Sequence, residues 1–203
     1  MKNIFVTAIG TDSGKTLVSA ILCEATGYGY WKPVQAGHPR DTETVESLVS
    51  NPAFKSFPEK YLLNTPASPH AAAKIDGVNI KVSDFKLPSS DPLVIEGAGG
   101  CMVPLNDDDF VIDMAENLSC EIILVSNLYL GSINHTMLTL HLLRSRKLTV
   151  KGIIFNGPRN EESERIILHH SGLPCLLRIE REDIVDQKLI SRYANEYTSR
   201  RRS

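Results

Sequence analysis

Thr7-Ala8-Ile9-Gly10-Thr11-Asp12-Ser13-Gly14-Lys15-Thr16 follows directly on the apolar run Ile4-Phe5-Val6. Behind it lie Leu17, Val18, Ala20, Ile21 and Leu22, an apolar helical pattern. A buried strand that turns through small residues, ends in Gly-Lys-Thr and continues as a helix predicts a phosphate-cradling loop. Glycine lets backbone N–H groups approach phosphate oxygens, and the helix behind them points its positive end the same way. In that reading Lys15 reaches the β- and γ-phosphates and the Thr16 hydroxyl ligates magnesium. Standard spacing would put a glycine at position 9, whereas this chain has Ile9 followed by Gly10. The tripeptide alone is common. Its place between a strand and a helix carries the reading.

Outward from the loop, short apolar runs alternate with helical patterns. The runs are 3–7, 29–34, 92–95, 121–126, 150–155 and 174–179; helices are expected at 15–26, 42–50, 112–117, 133–146, 161–170 and 184–196. Most runs are continuously apolar, as strands buried on both faces should be. This predicts an α/β fold, a parallel sheet with helices on both faces. The stretch 51–91 holds Pro52, Pro58, Pro66, Pro69 and Pro88 with little periodicity, and reads as a long surface excursion. With no repeat, linker or second core, one domain is expected over 1–203.

Composition excludes several classes. The chain has 203 residues, 42% hydrophobic and 23% charged, with a formal net charge of −2, so neither nucleic acid nor an anionic membrane is expected as main partner. The basic run Arg200-Arg201-Arg202 reads as a solvated tail. No apolar stretch is long enough to span a bilayer, and the first residues lack a signal-peptide layout. Cys23, Cys101, Cys120 and Cys175 form no CxxC pair; they read as reduced thiols of a cytoplasmic protein, with no zinc site.

In open parallel sheets ligands bind at the carboxyl ends of strands. At those ends stand Trp31-Lys32-Pro33-Val34-Gln35-Ala36-Gly37, Glu96-Gly97-Ala98-Gly99-Gly100, Leu130-Gly131-Ser132-Ile133-Asn134-His135 and Asn156-Gly157-Pro158. Lys32 alone would be an ordinary surface lysine, but beside a phosphate loop a second cation is expected, because phosphoryl transfer depends on charge neutralisation. Glu96, just past a buried run, sits where phosphate-loop enzymes hold magnesium. Asp41 precedes an apolar-periodic helix and reads equally as an N-cap or as a second carboxylate for the metal. Thr16, Asp41 and Glu96 together suit magnesium, which takes one or two carboxylates, waters and phosphate oxygens. The 131–134 turn is a strand-to-helix start suited to an anion, or an ordinary cap. His70 is a weaker candidate for facing a substrate. His135 reads as packed or capping, and His169-His170 as complementing a helix C-terminus.

Taken in order, these segments resemble the dethiobiotin synthetase family over nearly the whole chain. The resemblance rests on Phe5-Val6-Thr7 with Thr11 and Gly14-Lys15-Thr16, then Lys32-Pro33-Val34 with Gly37, and Ser68-Pro69-His70. It continues with Glu96-Gly97-Ala98-Gly99-Gly100 and Pro104-Leu105, and with Leu130-Gly131-Ser132-Ile133-Asn134-His135 followed by Met137-Leu138-Thr139. It accounts for the displaced glycine, since the family uses a longer phosphate loop. It implies a phosphate-loop NTPase-like fold and an ATP-dependent ligase that joins carbon dioxide to 7,8-diaminononanoate and closes a cyclic urea, through a carbamate and a carbamic-phosphoric mixed anhydride.

By the same resemblance Lys32, Lys15 and Thr11 are catalytic, and magnesium is held by Thr16, Asp41 and Glu96. ATP would be bound by Asp12, Ser13, Gly14, Lys15, Thr16, Leu17, Asp41, Glu96, Gly97, Ala98, Gly99, Asn156 and Gly157, with Asn156 reading the adenine edge. Substrate would be bound by Lys32, Ala36, Gly131, Ser132, Ile133 and Asn134. The last four would act from a neighbouring subunit, implying a homodimer with sites at its interface. Ala8 stands where the family usually has glycine and must therefore have negative φ; Ser13 replaces an apolar residue. Ala36 stands where several members have a serine touching substrate, and Gln35 is the candidate to replace that contact. The stretch 178–183 lacks the Ile-Pro found near the adenine in many members. A different class, the partitioning and metal-carrier switch ATPases, normally carries an extra lysine early in the loop. No lysine occurs here between Asn3 and Lys15. Amidotransferases of the cobyric-acid type share the fold but need a glutaminase domain, for which 203 residues leave no room.

Overall fold

The first strand and helix of the computed structural model, which describes residues 2–201, fall where the opening motif puts them. Strand β1 is Ile4–Ala8 and helix α1 is Lys15–Thr26. The remaining strands are β2 Gly29–Trp31, β3 Val34–Ala36, β4 Ser56–Phe57, β5 Tyr61–Leu63, β6 Leu93–Gly100, β7 Glu121–Asn127, β8 Val150–Asn156 and β9 Cys175–Ile179. Seven form one sheet in the order β4-β2-β6-β1-β7-β8-β9, with every pair parallel. β1 lies at its centre, flanked by β6 and β7. The chain builds outward from it in both directions, so the crevice at the carboxyl end of β1 is where a ligand belongs.

Side chains alternate across the sheet, and the alternation sorts the helices. Ile4, Val6, Tyr30, Val94 and Ile123 share one face and pack against α1, α2 (Asp41–Leu48) and α7 (Gln187–Arg200), through Ile21, Val45 and Tyr197. Phe5, Trp31, Ile95, Ile122 and Phe155 face the other way. They meet α3 (Pro69–Asp76), α4 (Val111–Asn117), α5 (Ser132–Ser145) and α6 (Glu161–Ser171), through Ala72, Ile112, Leu140 and Ile167. The register continues this sorting: Val6 lies opposite Glu96, and Tyr30 opposite Val94. Glu96 therefore emerges on the face that carries α1 and α2.

Four expectations are revised. The 29–34 run is not one strand: β2 stops at Trp31, and Pro33, lacking an N–H, cannot continue the ladder. Beyond it β3 pairs with β5 in a separate two-stranded sheet. The strand expected at 92–95 runs on to Gly100, so the glycine cluster is itself strand, and Ala8 pairs with Gly100. The last helix begins at Gln187, held by the Asp186 side chain accepting from Leu189 N–H, and Ile184 and Val185 lie exposed before it.

The 51–91 stretch is also more than an excursion. It supplies β4, β5 and α3, and it buries Leu63, Ala72, Ile80 and Phe85 in the core. Elements this short show no periodicity in sequence, yet their scattered apolar residues fill one side of the fold. Three of the cysteines are buried and none is paired, as expected. Burial pushes the Cys120 thiol up to about 12.

Phe85 tests the integrated stretch. It is almost fully buried and meets Tyr61 edge-on at 5.6 Å between ring centres. Phe85→Ala is expected to destabilise the fold by about 3–5 kcal/mol in a urea titration. A loss below about 0.5 kcal/mol, within the range of ordinary surface substitutions, would mean that this stretch is not core.

Candidate functional site

The phosphate loop bends at two positions of positive φ, Asp12 at 55° and Gly14 at 92°. Gly14 is there for contact as well as conformation: a Cβ would stand 2.2 Å from Asn156 Nδ2. Asn156, at the end of β8, donates from that nitrogen to Ser13 O at 2.9 Å, which ties the loop to the neighbouring strand end. Ser13 is buried and packs inward, its hydroxyl donating to Asn127 Oδ1 at 2.8 Å and Gly10 O at 3.1 Å. Ala8 lies within β1 and is not among the residues of positive φ, so it meets its condition without strain.

Four polar side chains converge below the loop. Lys32 Nζ donates to Asp41 Oδ2 at 2.5 Å and to Glu96 Oε1 at 2.8 Å. Thr16 Oγ1 is 3.1 Å from Asp41 Oδ1 and 3.0 Å from Glu96 Oε1. Lys32 and Glu96 are buried, and Asp41 is about one-third exposed. Burial alone would lower the Lys32 pKa, but the charges of Glu96 and Asp41 outweigh it and raise the ammonium above its ordinary value. Lys15 goes the other way, lowered by burial and then by the charge of Lys32. Its Nζ donates to Gly10 O at 3.2 Å, along the loop.

These groups line a cavity of about 710 Å³ at the carboxyl end of β1. Thr11, Asp12, Gly14, Lys15 and Thr16 enter from the loop, and Val34, Gln35 and Ala36 from the small sheet. Pro66-Ala67-Ser68-Pro69 and Ala98, Gly99 and Val103 complete the wall. Asn156, Gly157, Asp12 and Leu17 line a separate recess of about 340 Å³ with Glu180, Arg181 and Val185. The 131–134 turn lies apart from both. There Gly131 and Ile133 border another recess of about 300 Å³, and the buried Ser132 Oγ has no hydrogen-bond partner among the described residues.

Several expectations change at this level. Asp41 is the first residue of α2, and its side chain faces Lys32 and Thr16 instead of capping the helix. Gln35 is partly engaged: its Oε1 accepts from Asp41 N–H at 3.2 Å and its Nε2 donates to Gly37 O at 3.1 Å, which leaves one N–H at the cavity wall. Gly97 is packed so closely that a Cβ would meet Phe5 at 3.0 Å, and it does not line the cavity. His70 and His135 do not line the cavity; they bond to Ser68 Oγ and Tyr129 Oη.

Sequence reasoning also missed Tyr30, whose buried hydroxyl donates to Glu96 Oε2 at 2.9 Å. Period-2 parity, which sets Tyr30 and Lys32 on one side of the chain, was the available signal. Burial first, and then the charge of Glu96, pushes the Tyr30 pKa well above its usual value, so the phenol remains a donor.

Among the described residues, no group of three or more His, Cys, Asp or Glu forms a metal cluster. Two carboxylates and one hydroxyl facing a phosphate loop are nevertheless the donor set that fits magnesium, which also takes phosphate oxygens and water.

The AAA-domain family model matches residues 2–188. The ATP-dependent dethiobiotin synthetase BioD of Cytophaga hutchinsonii is 53% identical over 197 residues, covering 96% of each chain. The chain belongs to the dethiobiotin synthetase family. The family's BioD protein of Brucella ovis is 41% identical, covering 96% of this chain and 93% of that one. The biotin biosynthesis bifunctional protein BioCD of Bordetella avium is 38% identical, across 96% of this chain but 43% of that longer protein. The fold is also that of a Borrelia burgdorferi putative plasmid partition protein (TM-score 0.62, 14% identity, 98% of each chain). The cell division ATPase MinD of Pyrococcus furiosus is similar again (0.59, 15%, 98% of this chain and 99% of that one). At such identities these likenesses describe architecture alone.

Gly14 carries the test of this synthetase-family loop. Gly14→Ala combines an unfavourable φ with a 2.2 Å collision on Asn156. Calorimetric titration with ATP is expected to show affinity reduced by at least about tenfold, equivalent to about 1.4 kcal/mol. Unchanged affinity would mean that this turn does not bind the nucleotide.

Proposed function

We propose that this enzyme forms dethiobiotin from 7,8-diaminononanoate, carbon dioxide and ATP, as an ATP-dependent cyclo-ligase. The observation that carries the reading is the convergence of Lys15, Thr16, Lys32, Asp41 and Glu96 on one cavity beside a phosphate loop, in a chain of the dethiobiotin synthetase family. One substrate amine adds to carbon dioxide to give a carbamate. A carbamate oxygen attacks the γ-phosphorus of ATP, and the β–γ bridging oxygen leaves with ADP. The second amine attacks the carbamoyl carbon, the C–O bond to phosphate breaks, and the urea ring closes.

This chain's residues supply charge and position. Backbone groups of residues 12–17 hold the phosphates, with Lys15 toward the β- and γ-oxygens. Lys32 has three N–H groups, of which two serve Asp41 and Glu96, leaving one for a carbamate oxygen. Thr11, on the cavity wall, hydrogen-bonds the reacting end of the substrate. Thr16, Asp41 and Glu96 would hold magnesium, which when bound neutralises charge on the phosphate oxygens.

The recess beside Asn156 and Gly157 takes the base. The helix start at Gly131, Ser132, Ile133 and Asn134 takes the substrate's tail carboxylate from a second copy in a homodimer. The orphaned Ser132 Oγ and the exposed Leu130 and Leu138 beside it support that assignment. Unpaired cysteines fit a cytoplasmic setting. We take the chain as one domain.

Phosphate release by the purified protein is expected to depend on the diamine, with dethiobiotin detected by mass spectrometry. ATP turnover indifferent to the diamine, with no cyclic urea, is what a nucleotide-switch ATPase would give and would remove the reading. Lys32→Ala should lower product formation at least about a hundredfold, the scale of one lost electrostatic contact to a transition state. ATP should still bind that variant; retained turnover would take Lys32 out of the reaction. Chelation of divalent cations should stop product formation, and added magnesium should restore it.

A further inference from the structure

Tyr30 belongs to none of the motifs above, yet it touches the centre of the site from behind. It is fully buried on β2, and its hydroxyl donates to Glu96 Oε2 at 2.9 Å. The other oxygen, Oε1, receives Thr16 Oγ1 at 3.0 Å and Lys32 Nζ at 2.8 Å. The two oxygens of one carboxylate are thus divided: one faces the cavity groups and one is held by the sheet. Terminal carboxylate torsions are broad and two-fold, so neighbours decide the plane in which the oxygens lie. Strand parity makes this contact possible, because Tyr30, Val94 and Glu96 all emerge on the α1 face. Tyr30 does not line the cavity.

We propose that Tyr30 is a positioning residue for this reaction: by holding Oε2 it fixes the Glu96 carboxylate plane, so that Oε1 meets Thr16, Lys32 and the metal. The inference rests on Glu96 as a magnesium ligand in the reaction proposed above. Partners of this kind, one step out from the ligands, set ligand orientation and metal affinity.

Tyr30→Phe keeps the ring and removes the donor. Manganese serves as the probe, titrated by electron paramagnetic resonance in the presence of a non-hydrolysable ATP analogue. The variant is expected to bind manganese about tenfold more weakly and to lose kcat by a similar factor. KM for the diamine and affinity for metal-free nucleotide should be unchanged. Trp31→Phe is the control, since it removes a partly buried bond from the same strand, Trp31 Nε1 to Pro58 O at 3.1 Å, and should leave manganese affinity as it was.

Unaltered manganese affinity in a folded Tyr30→Phe protein would overturn the proposal. In a Glu96→Gln background Tyr30→Phe should have no further effect on manganese affinity, and an additive loss would overturn it equally. Should Tyr30→Phe fail to fold, the unsubstituted chain can be labelled with 3-fluorotyrosine. One buried fluorine resonance is then expected to move with magnesium plus nucleotide but not with nucleotide alone, and no metal-dependent resonance would overturn the proposal. If the unsubstituted chain makes no dethiobiotin while the manganese results hold, the reaction falls and the role of Tyr30 at the metal site stands.

Discussion

A buried lysine held between two carboxylates is the interaction on which the rest of this structure depends. Taking such charges out of water costs several kcal/mol per ion, and their attraction offsets this only when the remaining donors and acceptors are satisfied. The surroundings of Lys32 and Glu96 meet that requirement. Glu96 is served by Lys32, Thr16 and Tyr30, while the Asp41 carboxylate is served by Lys32 and Thr16. Each contact comes from a different element: α1, β2, the turn after β2, α2 and β6. The charge cluster therefore fixes where these elements end relative to one another, and removing Lys32 would leave the buried Glu96 carboxylate without its cation.

The electrostatics also explain why two lysines with opposite shifts share one cavity. Lys32 sits among carboxylates and is held firmly protonated, whereas Lys15 is buried with a like charge nearby and is easier to discharge. A triphosphate brings the anionic charge that Lys15 lacks. Lys15 Nζ bonds to Gly10 O, whereas Lys32 is held by two carboxylates and keeps one N–H.

The parts legible in sequence were those with local signals. β1, the phosphate loop and α1 form one contiguous stretch, and the continuously apolar runs from Glu121 to Ile179 became β7, β8 and β9 as read. Lys32, Asp41 and Glu96 were found because each stands near a strand end or helix start, where chemistry is expected. What escaped depends on pairing between distant residues. The partner of Tyr30 lies 66 positions away, and the pairing of β3 with β5 joins strands of only three residues each across α2 and β4. The chemistry of Gln35 is legible in sequence, but its bonds to Gly37 O and Asp41 N–H are not. Glu96 was read as the end of a run because glycine weakens a strand on paper. In the fold those glycines are retained by the ladder to β1 and by close packing on Phe5 and Val103.

The break in the chain at Lys32-Pro33 has one more consequence. Up to Trp31 the backbone is tied to the large sheet; from Val34 it is tied to the small one, and Pro33 O accepts the N–H groups of Lys60 and Tyr61. Lys32 is thus a knuckle between two plates. Its ammonium grips carboxylates anchored to the large plate and to α2, while the backbone that follows it lines the cavity through Val34, Gln35 and Ala36. The cavity wall and the charge cluster are thus built from one short segment, 32–36. Shape at one end of the cavity and electrostatics at the other are read by a single joint.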